Sequence, residues 1–328
     1  MSNNVFVNGG MGFIGHHICI ELKKNGYFPI AIDHMNQFEF RSDKELYQSF
    51  INERYELLKS HSIKVVILDT GDQDHYIKLL KEYQPVIIYH MSAIASAKIC
   101  QTNPHLAITE NLMKVEQVLN YILQSKIKTK FVFASSSVAY GDFETDSVNE
   151  ETMLNPRTVY GFTKKTAEEL IRMYKALYGL TYTILRPSAL YGPRCINLRV
   201  SQIIIERAIR GETIIINGDG MERLDFSFVD DTVQGFIKAG IKPEGNNQVF
   251  NITYGESRPV NLLIDIVREY FPDLKIEYRE RDKIMPKRGT LDISKARKIL
   301  GYLPEYPVER GYPLYIEWYL KREKNKRG

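Results

Sequence analysis

The chain has 328 residues, of which 44% are hydrophobic and 26% are charged, and its net charge is +4. This length suits about two domains, and the composition is that of a globular protein. The last eight residues hold five basic side chains and one acid, so the remaining 39 basic and 39 acidic residues balance. A balanced body lacks the electrostatic footprint of a nucleic-acid-binding protein, and no apolar run approaches the roughly 18 residues that span a bilayer.

The cysteines also exclude some classes of protein. Cys19, Cys100 and Cys195 are scattered and lack the spacing of metal ligands, so we expect neither a disulfide framework nor a metal site. This pattern favours a reducing, cytoplasmic environment. We expect no signal peptide, because a strand is already predicted at Val5.

The first half of the chain alternates short β-branched runs with longer amphipathic stretches. The runs lack strict alternation, as parallel strands buried on both faces do. Strands are predicted over 5–7, 30–32, 65–68, 86–89, 131–133 and 182–185. Helices are predicted over 15–25, 74–83, 104–124 and 160–178. This succession predicts an α/β fold with a Rossmann-type, doubly wound parallel sheet.

The pattern changes after Pro187, where proline and glycine become frequent. This change predicts a smaller, mixed α/β C-terminal lobe. Segments 226–229 and 249–252 are predicted to return to the first sheet. The first domain would then cover 1–186 with about 226–252, and the second lobe would cover 187–225 and 253–328.

Gly9, Gly12 and Gly15 separate the first strand from the first helix. Glycine permits an unusual φ and lets backbone N–H groups approach a pyrophosphate at the helix N-terminus. Asp33 ends the next strand, where a carboxylate binds an adenosine ribose and repels a 2′-phosphate. The motif predicts NAD rather than NADP, although Arg41 could meet a phosphate. The structural alternative is a tight turn with Asp33 as a helix cap.

Tyr160 and Lys164 are four residues apart at the start of a predicted helix, on one face of it. A phenol is a weak base at neutral pH, and a nearby cation stabilises its phenolate. Tyr55 and Lys59 have the same spacing but lie in a charged segment. We therefore predict a solvated face for that second pair.

Ser136 lies 24 residues before Tyr160, directly after a predicted buried strand. Ligands of doubly wound sheets bind at the carboxyl ends of the strands. This position favours a functional hydroxyl at Ser136, whereas Ser135 and Ser137 also fit turn-capping serines.

These motifs resemble the extended short-chain dehydrogenase/reductase family, which contains nucleotide-sugar epimerases, dehydratases and decarboxylases. The resemblance covers nearly the whole chain and is closest to the 4-epimerases. Further matches occur in the family's order at 69–72, 90–93, Asn111, 185–194, 218–220, 225–231 and 292–304.

The resemblance implies a role for each site residue. Tyr160 would be the general base, Lys164 would bind the nicotinamide ribose and lower the pKa of Tyr160, and Ser136 would hydrogen-bond the reacting oxygen. Tightly bound NAD would contact Gly9, Gly12, Phe13, Ile14, Gly15, Asp33, His34, Asp69, Thr70, Met91, Ser92, Ala93, Tyr160, Lys164 and Pro187. A nucleotide diphosphate sugar would contact Ser137, Arg199, Arg223 and Arg288, because guanidinium groups suit phosphates.

Two positions depart from the family pattern. Ala189 stands where members usually have an Asn that touches the diphosphate. Leu224 stands where an Arg usually precedes Asp-Phe, so Arg223 comes one residue early. The diphosphate must therefore be held differently.

The residues around Ser136 bear on the reaction. Related dehydratases and glucuronate decarboxylases usually carry Glu two positions later, some dehydratases carry Asp just before it, and 3,5-epimerases carry Cys nearby. This chain has Ser137 and Val138, and valine cannot transfer a proton. The pattern favours inversion at C4 of a UDP-sugar through a transient 4-ketone. The alternatives are a 4-ketoreductase, a 4,6-dehydratase or decarboxylase, and a catalytically silent nucleotide-binding protein.

Helices 104–124 and 160–178 carry apolar residues on more than one side. In the second helix, Leu170, Tyr174 and Leu177 form one stripe, and Phe162 and Met173 form another. A helix with two apolar faces needs two partners, and family members usually dimerise through these helices. We predict a homodimer; burial under the second lobe is the alternative.

Overall fold

A computed structural model of the chain describes residues 3–35, 44–281 and 285–327. Its strands are β1 (Asn4–Asn8), β2 (Phe28–Asp33), β3 (Lys64–Ile67), β4 (Ile87–His90), β5 (Lys130–Ala134), β6 (Ser147–Val148), β7 (Thr181–Pro187), β8 (Leu190–Tyr191), β9 (Ile214–Asn217), β10 (Arg223–Leu224), β11 (Ser227–Phe228), β12 (Gln248–Ile252), β13 (Arg258–Pro259), β14 (Ile276–Arg279) and β15 (Thr290–Leu291). Its α-helices are α1 (Phe13–Lys24), α2 (Lys44–Ser60), α3 (Gln73–Tyr83), α4 (Ala97–Thr102), α5 (Pro104–Ile108), α6 (Lys114–Ser125), α7 (Val159–Tyr178), α8 (Val200–Arg210), α9 (Val229–Ile241), α10 (Val260–Tyr270), α11 (Ser294–Leu300) and α12 (Val308–Arg327).

Seven strands form the central sheet, in the order β12-β7-β5-β4-β1-β2-β3, and every pair is parallel. The six strands predicted in the first half are all present, which confirms the Rossmann-type sheet. Segment 249–252 also returns to this sheet as part of β12, beside β7. The carboxyl ends of β1, β4, β5 and β7 therefore meet at one edge.

The prediction for segment 226–229 is wrong. Ser227 and Phe228 pair with Leu190 and Tyr191 in a separate two-stranded sheet. Helix α9 then begins at Val229. The exact domain limits stay a prediction.

Helices cover both faces of the central sheet. On β1, Val5 and Val7 face one hydrophobic core that includes Ile18 of α1. Phe6, between them, faces the other core, which includes Ile171 of α7. Alternate side chains of one buried strand thus enter two cores, which explains its unbroken apolar sequence.

The second lobe is built from short strands. β9 pairs with β14, β10 with β13, and β15 with β6, each in a sheet of two strands. None of the helices in the described ranges combines the length and the apolar character needed to cross a bilayer. No group of three metal-ligating side chains lies close together in those ranges either.

Candidate active site

The glycine turn lies between β1 and α1. At Gly9 and Gly15 the neighbouring backbone lies too close to leave room for a side chain. Gly9 has φ +75°, and a Cβ there would lie 2.7 Å from the backbone nitrogen of Ser92. A Cβ on Gly15 would lie 2.1 Å from the Gly9 carbonyl oxygen. Gly12 is the N-cap of α1, and no side chain caps this helix. The N–H groups of the first helical turn, from Phe13 and Ile14 onward, are thus available to an anion such as a pyrophosphate.

Asp33 orders this turn. Its side chain is 5% exposed; Oδ2 accepts a hydrogen bond from the Met11 N–H and Oδ1 accepts one from the Met35 N–H, both at 3.0 Å. The carboxylate thus binds the turn itself, and it does not cap α1. Its contact with a ribose stays a prediction. Arg41 lies outside the described residues.

The residues predicted to contact adenosine lie around the ends of β2, β3 and β4. His34 Nε2 lies 3.8 Å from a carboxylate oxygen of Glu110. The Asp69 carboxylate accepts from the Gly71 N–H at 2.8 Å and pairs with Lys114. Thr70 is 3% exposed, yet its hydroxyl has no hydrogen-bond partner among the described residues. This unused hydroxyl is available to a bound group.

The residues that follow β4 lie beside the glycine turn. The Met91 N–H donates to the Asn8 carbonyl at 2.8 Å, which continues the pairing of β4 with β1. Ser92 is buried, Ala93 follows it, and Pro187 ends the neighbouring β7. These positions line the edge where a dinucleotide would lie across the sheet.

Two elements, β5 and α7, bring the predicted catalytic residues together. Ser136 follows β5, and its Oγ accepts from the Val138 N–H at 3.2 Å. Tyr160 lies in the first turn of α7, one turn before Lys164. The Lys164 ammonium donates to the Ala134 carbonyl at 2.7 Å and lies 5.8 Å from the Tyr160 ring centroid. All three catalytic side chains are buried, at 8%, 8% and 2% exposed.

Burial moves both titratable groups towards their neutral forms. Burial raises the pKa of Tyr160, while Arg199, a hydrogen bond with Ser136 and Arg288 lower it. Burial lowers the pKa of Lys164 to about 7. The role of Lys164 in lowering the Tyr160 pKa stays a prediction. In the structure its ammonium is bound to a main-chain carbonyl, and the charges of Arg199 and Arg288 also lower the Tyr160 pKa.

Beneath the catalytic residues lies a buried ion pair that the motifs did not reveal. Arg186, at the end of β7, donates through Nε and Nη2 to the Glu168 carboxylate at 2.9 and 2.6 Å. Ser135 donates to the same carboxylate at 2.6 Å. Glu168 lies one turn after Lys164 on α7. The pair, with Ser135, therefore links β7 to the two elements that carry the predicted catalytic residues. The one sequence feature that points to this ion pair is the position of Glu168, four residues after Lys164 on the same helix face.

Two arginines converge on this edge from the second lobe. Nη2 of Arg288 donates to the hydroxyls of Ser137 and Ser188. Burial, together with the neighbouring charge of Arg199, lowers the pKa of Arg288 to about 10. The Nε atoms of both arginines are buried without a hydrogen-bond partner in the described part of the chain. Two close cations with unused donors form a site for an anion.

Arg223 is bound within the second lobe. Its side chain is exposed and donates to the Oγ and the carbonyl oxygen of Ser257. Ser257 in turn accepts from the Thr290 hydroxyl at 3.0 Å, two residues beyond Arg288. The structure thus connects Arg223 to the Arg288 segment. The contact of Arg223 with substrate stays a prediction.

Ala189 has a backbone conformation that explains the usual residue there. Its φ is +36°, a region that Asn adopts more readily than Ala. The family's Asn therefore suits the backbone as well as the phosphate. In this chain the neighbouring Ser188 supplies a polar group instead, and it is bound to Arg288.

Val138 packs in the apolar cluster that contains Tyr160. A side chain that cannot carry a proton therefore lies beside the candidate base. Tyr55 is 42% exposed and Lys59 is also exposed, which confirms a solvated face for the second pair.

Residues 5–253 match the model of the NAD dependent epimerase/dehydratase family. The chain belongs to this family. As a member, it uses NAD, and the glycine turn and the free Thr70 hydroxyl fit that cofactor. A similar relative is UDP-glucuronate 4-epimerase 4 of Arabidopsis thaliana, 28% identical over 335 residues, which cover 96% of this chain and 75% of the relative.

Two solved structures are similar over almost their whole length. The UDP-glucose 4-epimerase of Thermotoga maritima, solved with UDP-glucose, is 30% identical with a TM-score of 0.86, covering 98% of this chain and 99% of that one. The UDP-glucuronic acid 4-epimerase of Bacillus cereus, solved with UDP-glucuronic acid and NAD, is 25% identical with a TM-score of 0.88, covering 97% and 99%. The family model ends at residue 253, but these structures are similar over at least 97% of the chain, so the similarity also includes the second lobe.

Proposed function

We propose that the chain is a nucleotide-sugar 4-epimerase that inverts C4 of a UDP-sugar. The observation that carries this proposal is a buried Tyr160 beside Ser136, with Val138 where related dehydratases and decarboxylases have a carboxylate. A single base supports oxidation and reduction at one carbon, and it does not support removal of a second proton at another. The similar 4-epimerases favour the same reaction.

NAD, when bound, accepts a hydride from C4 and returns it. Tyr160 takes the proton of the C4 hydroxyl as that hydride leaves, so the C–H and O–H bonds break and a C4 ketone forms. Ser136 hydrogen-bonds the reacting oxygen throughout. The ketone then turns its other face, and Tyr160 returns the proton as the hydride is restored. Burial raises the pKa of Tyr160, and the charges of Arg199 and Arg288 oppose this shift by favouring the phenolate.

The proposed cofactor contacts are the glycine turn for the pyrophosphate, and Asp33, His34, Asp69 and Thr70 for the adenosine. Met91, Ser92, Ala93 and Pro187 line the dinucleotide along the sheet edge, and Lys164 binds the nicotinamide ribose. In the described residues the Asp33 carboxylate accepts hydrogen bonds from two backbone N–H groups and from no cationic side chain. An acid at this position that is not paired with a cation favours NAD over NADP.

The diphosphate of the substrate would lie between Arg199 and Arg288. Their unused N–H donors support this placement, since charged donors aimed at a buried anion bind it strongly. Ser137 would contact the sugar beside Ser136. Arg223 would act on the same ligand only from the rim, because its guanidinium is bound to Ser257.

The test is incubation of the pure protein with UDP-glucose, UDP-N-acetylglucosamine, UDP-glucuronate and their C4 epimers. We expect conversion in both directions without added NAD, followed by chromatography of the nucleotide sugars. Loss of water or release of carbon dioxide would contradict the proposal. A net absorbance change at 340 nm would indicate the 4-ketoreductase instead.

We also propose a homodimer through α5, α6 and α7. Phe162, Met173 and Leu177 lie on one face of α7 and are 51%, 45% and 63% exposed, whereas Tyr174 packs inward. Leu177 therefore belongs with the outer stripe rather than with Tyr174. Light scattering should give twice the 38.0 kDa of the chain, and Met173→Glu with Leu177→Glu should halve it. A monomeric wild type would contradict this.

The proposed location is the cytoplasm. Cys19, Cys100 and Cys195 are free and buried, which suits a reducing compartment. Cell fractionation with an antibody to the chain tests this, and recovery outside the cytoplasm would contradict it.

A further inference from the structure

Arg54 of α2 is a buried arginine outside the predicted site. It is 1% exposed, and burial lowers its pKa to about 10, so it is a cation at neutral pH. Nη1 donates to the Met11 carbonyl at 2.9 Å, and Nη2 donates to the Arg194 carbonyl. Burying a guanidinium is costly, and these two main-chain hydrogen bonds offset part of that cost.

The first carbonyl belongs to the glycine turn. Met11 lies between Gly10 and Gly12, so the backbone on both sides is intrinsically free to rotate. Its N–H is bound by Asp33 Oδ2 at 3.0 Å and its carbonyl oxygen is bound by Arg54. The orientation of the peptides that face the pyrophosphate site thus depends on these two side chains.

The second carbonyl belongs to a loop of the second lobe. Arg194 has φ +65°, and its side chain also contacts the turn. Nε donates to His16 Nε2 at 3.1 Å, and His16 Nδ1 lies 2.8 Å from the Gly12 carbonyl. This geometry requires the proton on Nδ1 of a neutral ring, in keeping with the lowered pKa that burial and the neighbouring cations give His16. Arg194 also pairs with Glu53 at 3.4 Å.

The same loop ends at Arg199. Arg199 is the N-cap of α8, five residues after Arg194, and its charge acts on Tyr160. At this end the Leu198 N–H is bound by the Gln202 side chain at 3.0 Å. A short loop held at both ends transmits a displacement of Arg194 to Arg199.

We propose that Arg54 is a positioning residue that joins the glycine turn to the loop 194–199, so that one side chain sets the cofactor cradle and the Arg199 guanidinium relative to each other. The planar fork of arginine can bind two carbonyls in fixed directions, whereas the single ammonium of lysine is a point charge on a flexible stem. The substrate half of this inference rests on the proposed function. The cofactor half depends only on NAD binding.

The test compares Arg54→Met and Arg54→Lys with the wild type as full-length holoenzymes. We expect Arg54→Met to release NAD about ten-fold faster or more, and to raise the KM for the UDP-sugar by about ten-fold, because two hydrogen bonds from a charged donor are lost. Its kcat should change by less than about three-fold, since the catalytic residues are not touched. Arg54→Lys should fall between Arg54→Met and the wild type.

Ile51→Ala is the matched control. Ile51 lies on the same helix and is 3% exposed, but its apolar side chain cannot bind either carbonyl. We expect a lowered Tm with NAD release and KM within about two-fold of the wild type. Equal changes in Ile51→Ala and in either Arg54 variant, at equal loss of Tm, would overturn the inference. If Arg54→Met does not fold, Arg54→Lys decides by the same criterion.

Failure of the proposed function would look different. A wild type that converts no UDP-sugar would overturn that function while leaving NAD release measurable. Unchanged NAD release in the Arg54 variants would overturn the positioning role, whatever the substrate is.

Discussion

The proposed catalytic residues and the arginines proposed to bind substrate are supported in contrasting ways. Ser136 follows a strand of the seven-stranded sheet, and Tyr160 and Lys164 lie on a helix of 20 residues. Arg288 precedes β15, a strand of two residues, and Arg199 lies in a loop before α8. Long backbone ladders thus hold the groups proposed to react, while a two-residue strand and a loop hold the arginines proposed to bind the anion.

Side-chain hydrogen bonds compensate for the short ladders of the second lobe. The fully buried Asp225 carboxylate accepts from the Leu291 N–H at 3.1 Å, the Thr253 hydroxyl at 2.9 Å and the Gly255 N–H at 3.2 Å. Leu291 lies three residues after Arg288. One carboxylate therefore ties the Arg288 segment to the rest of the lobe. Single polar substitutions in the second lobe should therefore change KM, whereas substitutions of the proposed catalytic residues beside the central sheet should change kcat.

Tyr160→Phe tests the sheet side and should have the largest effect. It removes only the phenolic oxygen, so kcat should fall by about 10³-fold while NAD stays bound. Initial rates and the NAD content of the purified protein measure both. Tyr55→Phe, at the exposed copy of the spacing, is the control and should leave kcat unchanged. Retention of more than about a tenth of kcat in Tyr160→Phe would remove this residue from its role.

Arg288→Met tests the lobe side. Loss of charged donors to the diphosphate should raise KM by about 10- to 100-fold, with kcat within a few-fold of wild type. Steady-state kinetics separate the two constants. Arg223→Met is the control, and it should raise KM by less than about three-fold because Arg223 is exposed and bound to Ser257. A larger effect at Arg223 would reverse the assignment.

Asp225→Asn tests whether the lobe depends on one carboxylate. The side-chain amide of Asn has one oxygen fewer than the carboxylate, so at least one of the three donors around position 225 loses its acceptor. This loss should lower the free energy of unfolding by about 2 kcal/mol. KM should rise and kcat should change little, because the substitution displaces Arg288 and leaves Ser136, Tyr160 and Lys164 in place. Urea unfolding and kinetics check both. A loss of stability with an unchanged KM would show that Asp225 does not position Arg288.

Lys164→Met tests whether the buried lysine beside the central sheet makes the free energy of unfolding depend on pH. The pKa of Lys164 is about 7 in the folded chain and about 10.4 in an unfolded one, so the wild type gains stability as pH rises above 7. At pH 6 the lysine is charged in both states, and its burial is a cost that methionine lacks. The stability of Lys164→Met relative to wild type should therefore decrease by about 2–3 kcal/mol from pH 6 to pH 9.

Urea unfolding at the two pH values measures that difference. Lys165→Met, the next residue on α7 with a 35% exposed side chain, is the control and should show no such dependence. An equal difference at pH 6 and pH 9 for Lys164→Met would mean that the buried lysine does not titrate in this range.

Much of the cofactor side could be predicted because its determinants are local. The glycine turn, Asp33 and Ser136 each follow a strand recognisable from its own residues. Parallel strands then bring their carboxyl ends to one edge, whatever the details of packing. The short strand at Ser227–Phe228 was misplaced for the opposite reason, since two extended residues carry too little pattern to choose between sheets.

The family, the cofactor and the candidate catalytic residues Ser136, Tyr160 and Lys164 could all be predicted from the amino-acid sequence, since these predictions depend on spacing within strand–turn–helix units. The polar groups that meet across long separations emerge only in the folded chain: Arg54 with the Met11 and Arg194 carbonyls, Glu168 with Arg186, and Asp225 with Leu291. The folded chain also brings the charges of Arg199 and Arg288 to bear on the Tyr160 pKa. Such pairings have no local signal, because they arise from packing that is settled only when the whole chain has folded.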